Sequence, residues 1–190
     1  MFTGTLIVAI IVALLRKGSF SHLAEFELNR LPFLLISAGL QFLLHALGAR
    51  GWMVEYAALI HGLSYVALLW MLLGNLQLRG MSLLTAGTIL NFLVIAVNGG
   101  RMPVWARGLE LTGQEDMLLL LSADQSLTHQ LMGDATVLSF LGDRLILPPP
   151  YPLPQVISVG DVIMAVGLFI LVQAAMVRPR LSRLLPLRRR

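Results

Sequence analysis

The chain contains no cysteine, which excludes disulfide bonds, thiolate metal sites and thioether attachment of haem. Charged side chains are also scarce, at 13% of the 190 residues, whereas 57% of the residues are hydrophobic and the mean hydropathy is +0.80. Several long stretches carry no charge at all. This composition argues against a soluble domain and indicates a membrane protein.

Five apolar segments are candidates for membrane-spanning helices, because about 20 helical residues cross a hydrocarbon core of about 30 Å. A backbone in lipid must satisfy its own hydrogen bonds, so each segment is expected to be an α-helix. The sequence therefore predicts an all-α integral membrane bundle that forms a single domain. The predicted spans are residues 2–15, 31–47, 52–73, 81–97 and 156–177.

Basic residues are distributed unevenly around these segments, and cytoplasmic loops are enriched in Lys and Arg. If all five segments span, one side holds ten of the 14 basic residues, six of them in the tail 178–190, and the other side holds four. This predicts an N-terminus outside and a cytoplasmic C-terminus. The first segment precedes Arg16 and Lys17, the reverse of the order in a secretory signal, so we expect a retained helix.

The arginines of the tail are expected to contact anionic lipid rather than nucleic acid. They follow a predicted span directly, and basic groups near a membrane surface each contribute about 1 kcal/mol of attraction.

The long connector, residues 98–155, is predicted to lie outside the membrane and contains six of the ten carboxylates. Thr112 and Glu115 have the spacing of a capping box, which predicts a helix over the apolar residues that follow. A second helix is predicted over residues 124–132, with Leu127 and Leu131 on one face. The prolines of residues 148–154 predict a stiff extended return, acting as a spacer or as a PxxP ligand.

Polar side chains inside the predicted spans concentrate toward the outer end, given the orientation and a rise of about 1.5 Å per residue. They can hold helices together by hydrogen bonds of roughly 0.6 to 2 kcal/mol each, with Ala58 and Gly62 marking a close helix contact. Alternatively, they line an outward-facing pocket covered by the connector. Both interpretations stay open for these residues: His45, Glu55, His61, Asn91 and Asp161.

Three Gly-Asp dipeptides, which end at Asp134, Asp143 and Asp161, suit turns or helix starts. His129, Asp134 and Asp143 could also bind a divalent metal such as Zn²⁺ or Mn²⁺. No HExxH-type spacing supports that alternative, so no cofactor is predicted.

The segment Asn98–Pro103 (NGGRMP) ends the fourth span, since glycine followed by proline is a typical helix stop. Its two glycines could alternatively form an anion-binding nest beside Arg101.

The second half of the chain resembles an uncharacterised bacterial family of small polytopic membrane proteins. The resemblance lies in residues 98–103, in His129, in residues 141–143 (LGD) and in residues 158–161 (SVGD). It implies a multi-pass protein of the bacterial cytoplasmic (inner) membrane, and it implies no activity.

The sequence therefore predicts a non-catalytic ligand-binding, sensing or accessory subunit, whose partner would be a small ligand, another membrane protein or a second copy. The alternative hypothesis is a metal-assisted hydrolase or transferase, and the third hypothesis is a small transporter. The absence of an internal repeat and of mid-span breaks disfavours transport. The candidate ligand-binding residues are Asn98, Arg101, His129, Asp134 and Asp143 of the connector with His45, Glu55, His61, Asn91 and Asp161 of the spans.

Overall fold

A computed structural model describes residues 1–24, 27–49, 55–148 and 154–177. These residues are mostly helical, with two short two-stranded sheets between α5 and α8. The helices are α1 (Phe2–Leu15), α2 (Phe20–Ala24), α3 (Leu31–Ala49), α4 (Ala57–Leu73), α5 (Met81–Val97), α6 (Ala106–Leu111), α7 (Glu115–Ser122) and α8 (Val159–Met176), and the strands are β1 (Met102–Val104), β2 (His129–Leu131), β3 (Leu145–Leu147) and β4 (Gln155–Ile157).

All five predicted apolar segments contain a helix, namely α1, α3, α4, α5 and α8. Two of them, over Leu31–Gly48 and Val159–Met176, are long and apolar enough to cross a membrane by length and composition, and the other three are shorter apolar helices. The third segment is helical only from Ala57, after a turn at residues 55 and 56. Several features of the sequence lie outside the described residues. They are Arg50, the predicted start of the third segment at residue 52, the proline run 149–153 and the arginine tail 178–190.

The antiparallel helices α5 and α8 approach so closely that glycines form much of the contact. A Cβ atom on Gly80 would lie 2.2 Å from the carbonyl oxygen of Gly167, and one on Gly87 would lie 2.4 Å from that of Gly160. The two glycines on each chain segment are seven residues apart, which is two helical turns on one face. By contrast, a Cβ on Gly62 would meet nothing within 4 Å, so the predicted close helix contact at Gly62 is wrong.

At the end of the bundle opposite the connector, buried polar side chains join helices that are distant in sequence. Asn75 is fully buried, and its amide donates to the carbonyl oxygens of Met71 and Asn29 at 2.7 and 2.8 Å. Gln173 donates to the carbonyl oxygen of Ala9 at 2.7 Å and accepts from Arg16 at 2.9 Å. These bonds fix the turns at that end, so α4 meets the α2–α3 connection and α1 meets α8.

The stop predicted at the end of α5 is confirmed. Gly99 and Gly100 both adopt positive φ, at 72° and 84°, and the amide of Gly100 returns to the carbonyl oxygen of Ile95 at 2.9 Å. A Cβ on Gly100 would lie 2.5 Å from the Cβ of Ala58, so this position needs glycine for space as well as for conformation.

Two predictions within the connector are wrong. Thr112 does not cap α7, because it ends α6 and its hydroxyl donates to the carbonyl oxygen of Gly108 at 2.9 Å. Helix α7 nevertheless forms, beginning at Glu115 without a side-chain cap. The predicted helix over 124–132 is instead a turn at Asp124, with φ of 54°, followed by strand β2. Leu127 and Leu131 accordingly pack in different clusters rather than on one helical face.

Non-local pairing shapes the part of the connector nearest the bundle. Strand β2 pairs in parallel with β1, so His129 lies beside Met102. On the other edge of β1, the amide of Asp143 donates to the carbonyl oxygen of Pro103 at 2.9 Å, and Val104 and Asp143 form a parallel bridge. Strand β1 is therefore the centre of the arrangement, and it brings residues 129 and 143 to the same place.

Candidate functional site

A cavity of about 300 Å³ lies where helices α3, α4, α5 and α8 meet β1, β2 and residue 143 of the connector. Its walls are mostly polar, and the α3 side chains that line it are exposed, so the cavity is open on that side. The lining residues are Gln41, His45, His61, Tyr65, Asn91, Ile95, Met102, Thr128, His129, Asp143 and Asp161.

Six of the ten residues proposed from the sequence line this one cavity, and four do not. The six are His45, His61, Asn91, His129, Asp143 and Asp161.

Each of the four others has a different position. Glu55 is exposed in the turn before α4, and Asp134 is exposed in a turn of the connector. Arg101 pairs with Asp124. Asn98 holds the backbone of Val137, accepting from its amide at 3.0 Å and donating to its carbonyl oxygen at 2.8 Å.

The structure also adds lining residues that the prediction did not include. Tyr65 lies one helical turn after His61 on α4, and its ring meets the His61 ring edge-on at 5.4 Å and stacks on Phe92 at 5.6 Å. The four-residue spacing from His61 was the signal that could have identified it. Gln41 has the same spacing from His45 on α3. Thr128 and Met102 are brought in by the β1–β2 pairing, for which no local pattern exists.

The histidine of α4 has a defined tautomer. Its Nδ1 lies 2.7 Å from the carbonyl oxygen of Gly100, and because a carbonyl only accepts, His61 Nδ1–H is the donor. In the neutral ring the other nitrogen, Nε2, is then an acceptor. The turn that ends α5 therefore sets which nitrogen of His61 can accept a hydrogen bond in the cavity.

Asp161 is held by the start of α8 and by α5. One carboxylate oxygen accepts from the amide of Asn91 at 2.9 Å, and the other accepts from the backbone N–H of Ser158 at 3.1 Å. The Ser158 hydroxyl accepts from the Asp161 backbone N–H and donates to Asn91 Oδ1 at 2.8 Å. This is a capping box with a tertiary partner, which confirms the helix start predicted at the third Gly-Asp dipeptide.

Asp143 differs from Asp161, because the residue is only 9% exposed and its Oδ1 has no hydrogen-bond partner among the described residues. Burial, and then the nearby charge of Asp161, raise the pKa of Asp143. Burial, and then the charge of His61, lower the pKa of His129 to about 4, so that ring is neutral near pH 7. An unsatisfied buried acceptor is unfavourable by about 1 to 3 kcal/mol, so Asp143 needs an explanation.

The three residues of the alternative metal site, His129, Asp134 and Asp143, do not come together. The described residues contain no group of three or more His, Asp or Glu side chains that could hold a metal ion. His129 and Asp143 line the cavity, whereas Asp134 is exposed and is not part of its wall.

Replacing Asp143 with Asn should stabilise the folded chain at neutral and alkaline pH. The pKa of Asp143 is raised above its ordinary value of 3.8, so folding favours the protonated form. This carboxyl group therefore favours folding most below its ordinary pKa of 3.8. The parent protein loses that stability as the pH rises through the raised pKa. We expect Asp143→Asn to gain about 1 to 3 kcal/mol over the parent near pH 8, and nothing near pH 3, in denaturation of the purified protein.

The variant His129→Gln provides a control of opposite sign. Because the pKa of His129 is lowered from 6.5 to about 4, the parent loses stability as the pH falls through that interval, and the variant should not. If Asp143→Asn is less stable than the parent near pH 8, the Asp143 carboxylate has a partner and is not an unsatisfied charge.

Comparison with known proteins places the cavity within a matched region. A family model described as a family of unknown function (DUF5317) matches residues 25–173, which include every residue of the cavity wall and leave out α1. An uncharacterized protein of Thermotoga maritima is 33% identical over 108 residues, which is 57% of this chain. The match spans 59% of that relative's length. No solved structure matches the chain.

Proposed function

We propose that this chain, which belongs to the family of unknown function DUF5317, is an integral membrane protein that binds a small polar ligand in the cavity under its connector. Its membership confirms the resemblance to an uncharacterised family. The proposed role is binding, as a sensing or accessory subunit, rather than catalysis.

The surface of the helices supports a position in lipid. On α1, the side chains of Ile7, Val8 and Ile11 are 52 to 54% exposed, and on α3 those of Leu35 and Phe42 are 65% and 72% exposed. Apolar side chains at this density on a helical surface would form a large patch in contact with water, which soluble monomers avoid. In a bilayer the same side chains meet acyl chains, and no such penalty arises.

We propose that all five apolar helices cross the membrane. Helices α4 and α5 have 17 residues each, or about 25 Å at 1.5 Å per residue, and α1 has 14, or about 21 Å. A short helix is accommodated by local thinning of the bilayer at a modest energetic penalty. The amino group of Met1 donates to Gln155 Oε1 at 2.8 Å, so the N-terminus and the connector lie at the same end of the bundle. The basic residues put that end outside.

Asp143 is the observation on which the binding function depends. Hydrogen bonding between helices explains Asn91, Ser158 and Asp161, because these three side chains satisfy one another. It does not explain a nine-tenths buried carboxylate that lines the same cavity with an unpartnered oxygen. A ligand with a donor or cationic group in the cavity would compensate the carboxylate. The alternative of metal-assisted hydrolysis needs a set of metal ligands, and the part of the chain that the structure describes offers none.

A change that fills the cavity should remove binding. The parent in lipid nanodiscs should be stabilised by at least one compound of a panel of guanidinium, ethanolamine, urea, ethylene glycol, acetate and Zn²⁺, measured as a shift of the unfolding temperature. Thr128→Phe, which adds a ring to the cavity wall, should abolish the shift by steric occupation. Thr136→Phe is the matched control, because Thr136 lies in a connector turn and is not part of the wall. The proposal fails if no compound shifts the parent, or if both variants respond as the parent does.

A further inference from the structure

The two carboxylates of the cavity are not equivalent. Asp161 has one protein donor on each oxygen, from Asn91 and from the Ser158 backbone. Among the described residues, Asp143 is held through its backbone, whose amide donates to the carbonyl oxygen of Pro103 and whose carbonyl oxygen accepts from the Trp105 amide, each at 2.9 Å. Its side chain is fixed in the wall without any described donor on Oδ1. Both line the cavity, but among the described residues only Asp143 has a buried carboxylate oxygen without a hydrogen-bond donor.

No lysine or arginine is among the described residues that line the cavity. The arginine nearest in sequence to the β1 segment, Arg101, is paired with Asp124, and His129 is neutral near pH 7. Within the part of the chain that the structure describes, the carboxylates of the cavity thus lack a cationic partner. A buried charge without a counter-charge is unfavourable, whereas a cationic ligand that pairs with it gains both Coulombic attraction and charge-assisted hydrogen bonds.

The remaining wall suits a cation with several N–H donors. His61 offers Nε2 as an acceptor, because its Nδ1 donates to Gly100. Tyr65 offers an aromatic ring, to which a cation is attracted. A volume of about 300 Å³ is at the small end of ligand pockets, which favours a small headgroup over an extended molecule. A bare divalent ion prefers several oxygen or imidazole ligands, and the described side chains do not supply such a group.

We infer that the cavity takes a small organic cation, a primary ammonium or guanidinium group, with Asp143 as its counter-ion. This inference rests on the proposed binding function and specifies its ligand class. The cation pairs with the Asp143 carboxylate, which lines the cavity, and its remaining donors meet His61 Nε2 and the polar wall. The source can be a free amine or the amine headgroup of a lipid, since the group that is recognised is the same.

Two pairs of probes test whether the cavity recognises positive charge. Each pair consists of a cation and a neutral molecule of similar shape. Guanidinium is compared with urea, and ethanolamine with ethylene glycol, by titration into the parent in phosphatidylcholine nanodiscs at constant ionic strength. At least one cation should bind about tenfold or more tightly than its neutral partner, since each factor of ten in Kd is 1.4 kcal/mol. Nanodiscs that contain phosphatidylethanolamine should weaken ethanolamine binding if a lipid headgroup is the occupant, and should leave it unchanged if the occupant is a free amine.

Two carboxylate variants locate the counter-ion. Asp143→Asn should lose about tenfold or more of the affinity for the cation, while a conservative Asp143→Glu retains part of it. Asp134→Asn removes an exposed carboxylate outside the cavity and should bind as the parent does. Misfolding does not explain a loss in Asp143→Asn, because that variant is expected to be the more stable one at neutral pH.

The outcomes distinguish failure of the cation inference from failure of the proposed binding function. Binding of urea, ethylene glycol or acetate, lost in Thr128→Phe but unaffected by Asp143→Asn, would overturn the cation inference and leave the binding function standing. Binding of Zn²⁺ in preference to both cations would overturn it equally. Absence of binding by every probe would overturn both.

Discussion

The variant Gly80→Ala should fail to accumulate as a folded protein. Gly80 precedes α5 with a φ of 88°, a conformation unfavourable for alanine by about 1 to 2 kcal/mol. The added Cβ would also lie 2.2 Å from the carbonyl oxygen of Gly167 and 2.8 Å from the amide nitrogen of Leu171. Both are backbone atoms of α8, so relief requires that the two helices separate. We expect a total loss of about 3 to 5 kcal/mol, measured by thermal unfolding in detergent.

Gly39→Ala is the matched control for that experiment. Gly39 lies inside α3, and a Cβ there would meet nothing within 4 Å. Because alanine is favoured over glycine in a helix by up to about 1 kcal/mol, this variant should unfold at or above the temperature of the parent. Equal unfolding temperatures for the two variants would contradict the close approach of α5 and α8. Since Asn91 and Asp161 lie on these two helices, Gly80→Ala should also remove the cavity.

A single introduced cysteine should react with an impermeant reagent in intact cells only if it lies on the outer side of the membrane. The parent has no cysteine, so one introduced thiol is the only target of a maleimide reagent. Asp134→Cys lies in an exposed turn of the connector, and Ser21→Cys is exposed at the end of the bundle where the Ser19 amide donates to Met176. In intact bacterial cells a small membrane-impermeant maleimide should label Asp134→Cys, and it should label Ser21→Cys only after permeabilisation.

The labelling pattern distinguishes orientation from spanning. The parent, without a thiol, gives the background. The reverse pattern would show a connector that faces the cytoplasm and would contradict the orientation inferred from the basic residues. Equal labelling of both positions before permeabilisation would contradict the net crossing of the membrane between residues 21 and 134, which α3, α4 and α5 provide. Either result would leave the helices unchanged but would place the cavity on another side or in another medium.

The predictable part of the fold is local. The apolar segments became helices α1, α3, α4, α5 and α8, because an uninterrupted apolar run of this length has few other ways to satisfy its backbone. Gly99 and Gly100 ended α5 as expected, because positive φ is a property of the residue itself. The structure of the connector was harder to predict from local patterns. Thr112 and Glu115 matched a capping box, but the hydroxyl of Thr112 found carbonyl oxygens of the preceding helix instead.

The candidate site divides in the same way. Placing polar residues by depth, with alternating helix directions assumed, identified His45, His61 and Asn91 as neighbours, and all three line the cavity. Asp143 and His129 line one cavity because residues far apart in the sequence pair with the two edges of β1. The same pairing leaves Asp134 outside, although it lies closer to His129 along the chain than Asp143 does.

By itself the amino-acid sequence determined the helices, the likeness to an uncharacterised family and a set of polar residues at one end, since hydropathy and turn residues act over a few neighbours. Tertiary structure decided which of those residues share a cavity and which carboxylate has an oxygen without a donor among the described residues. The physical reason is that a hydrogen bond between distant segments depends on where the backbone of each segment lies, and no single segment contains that information.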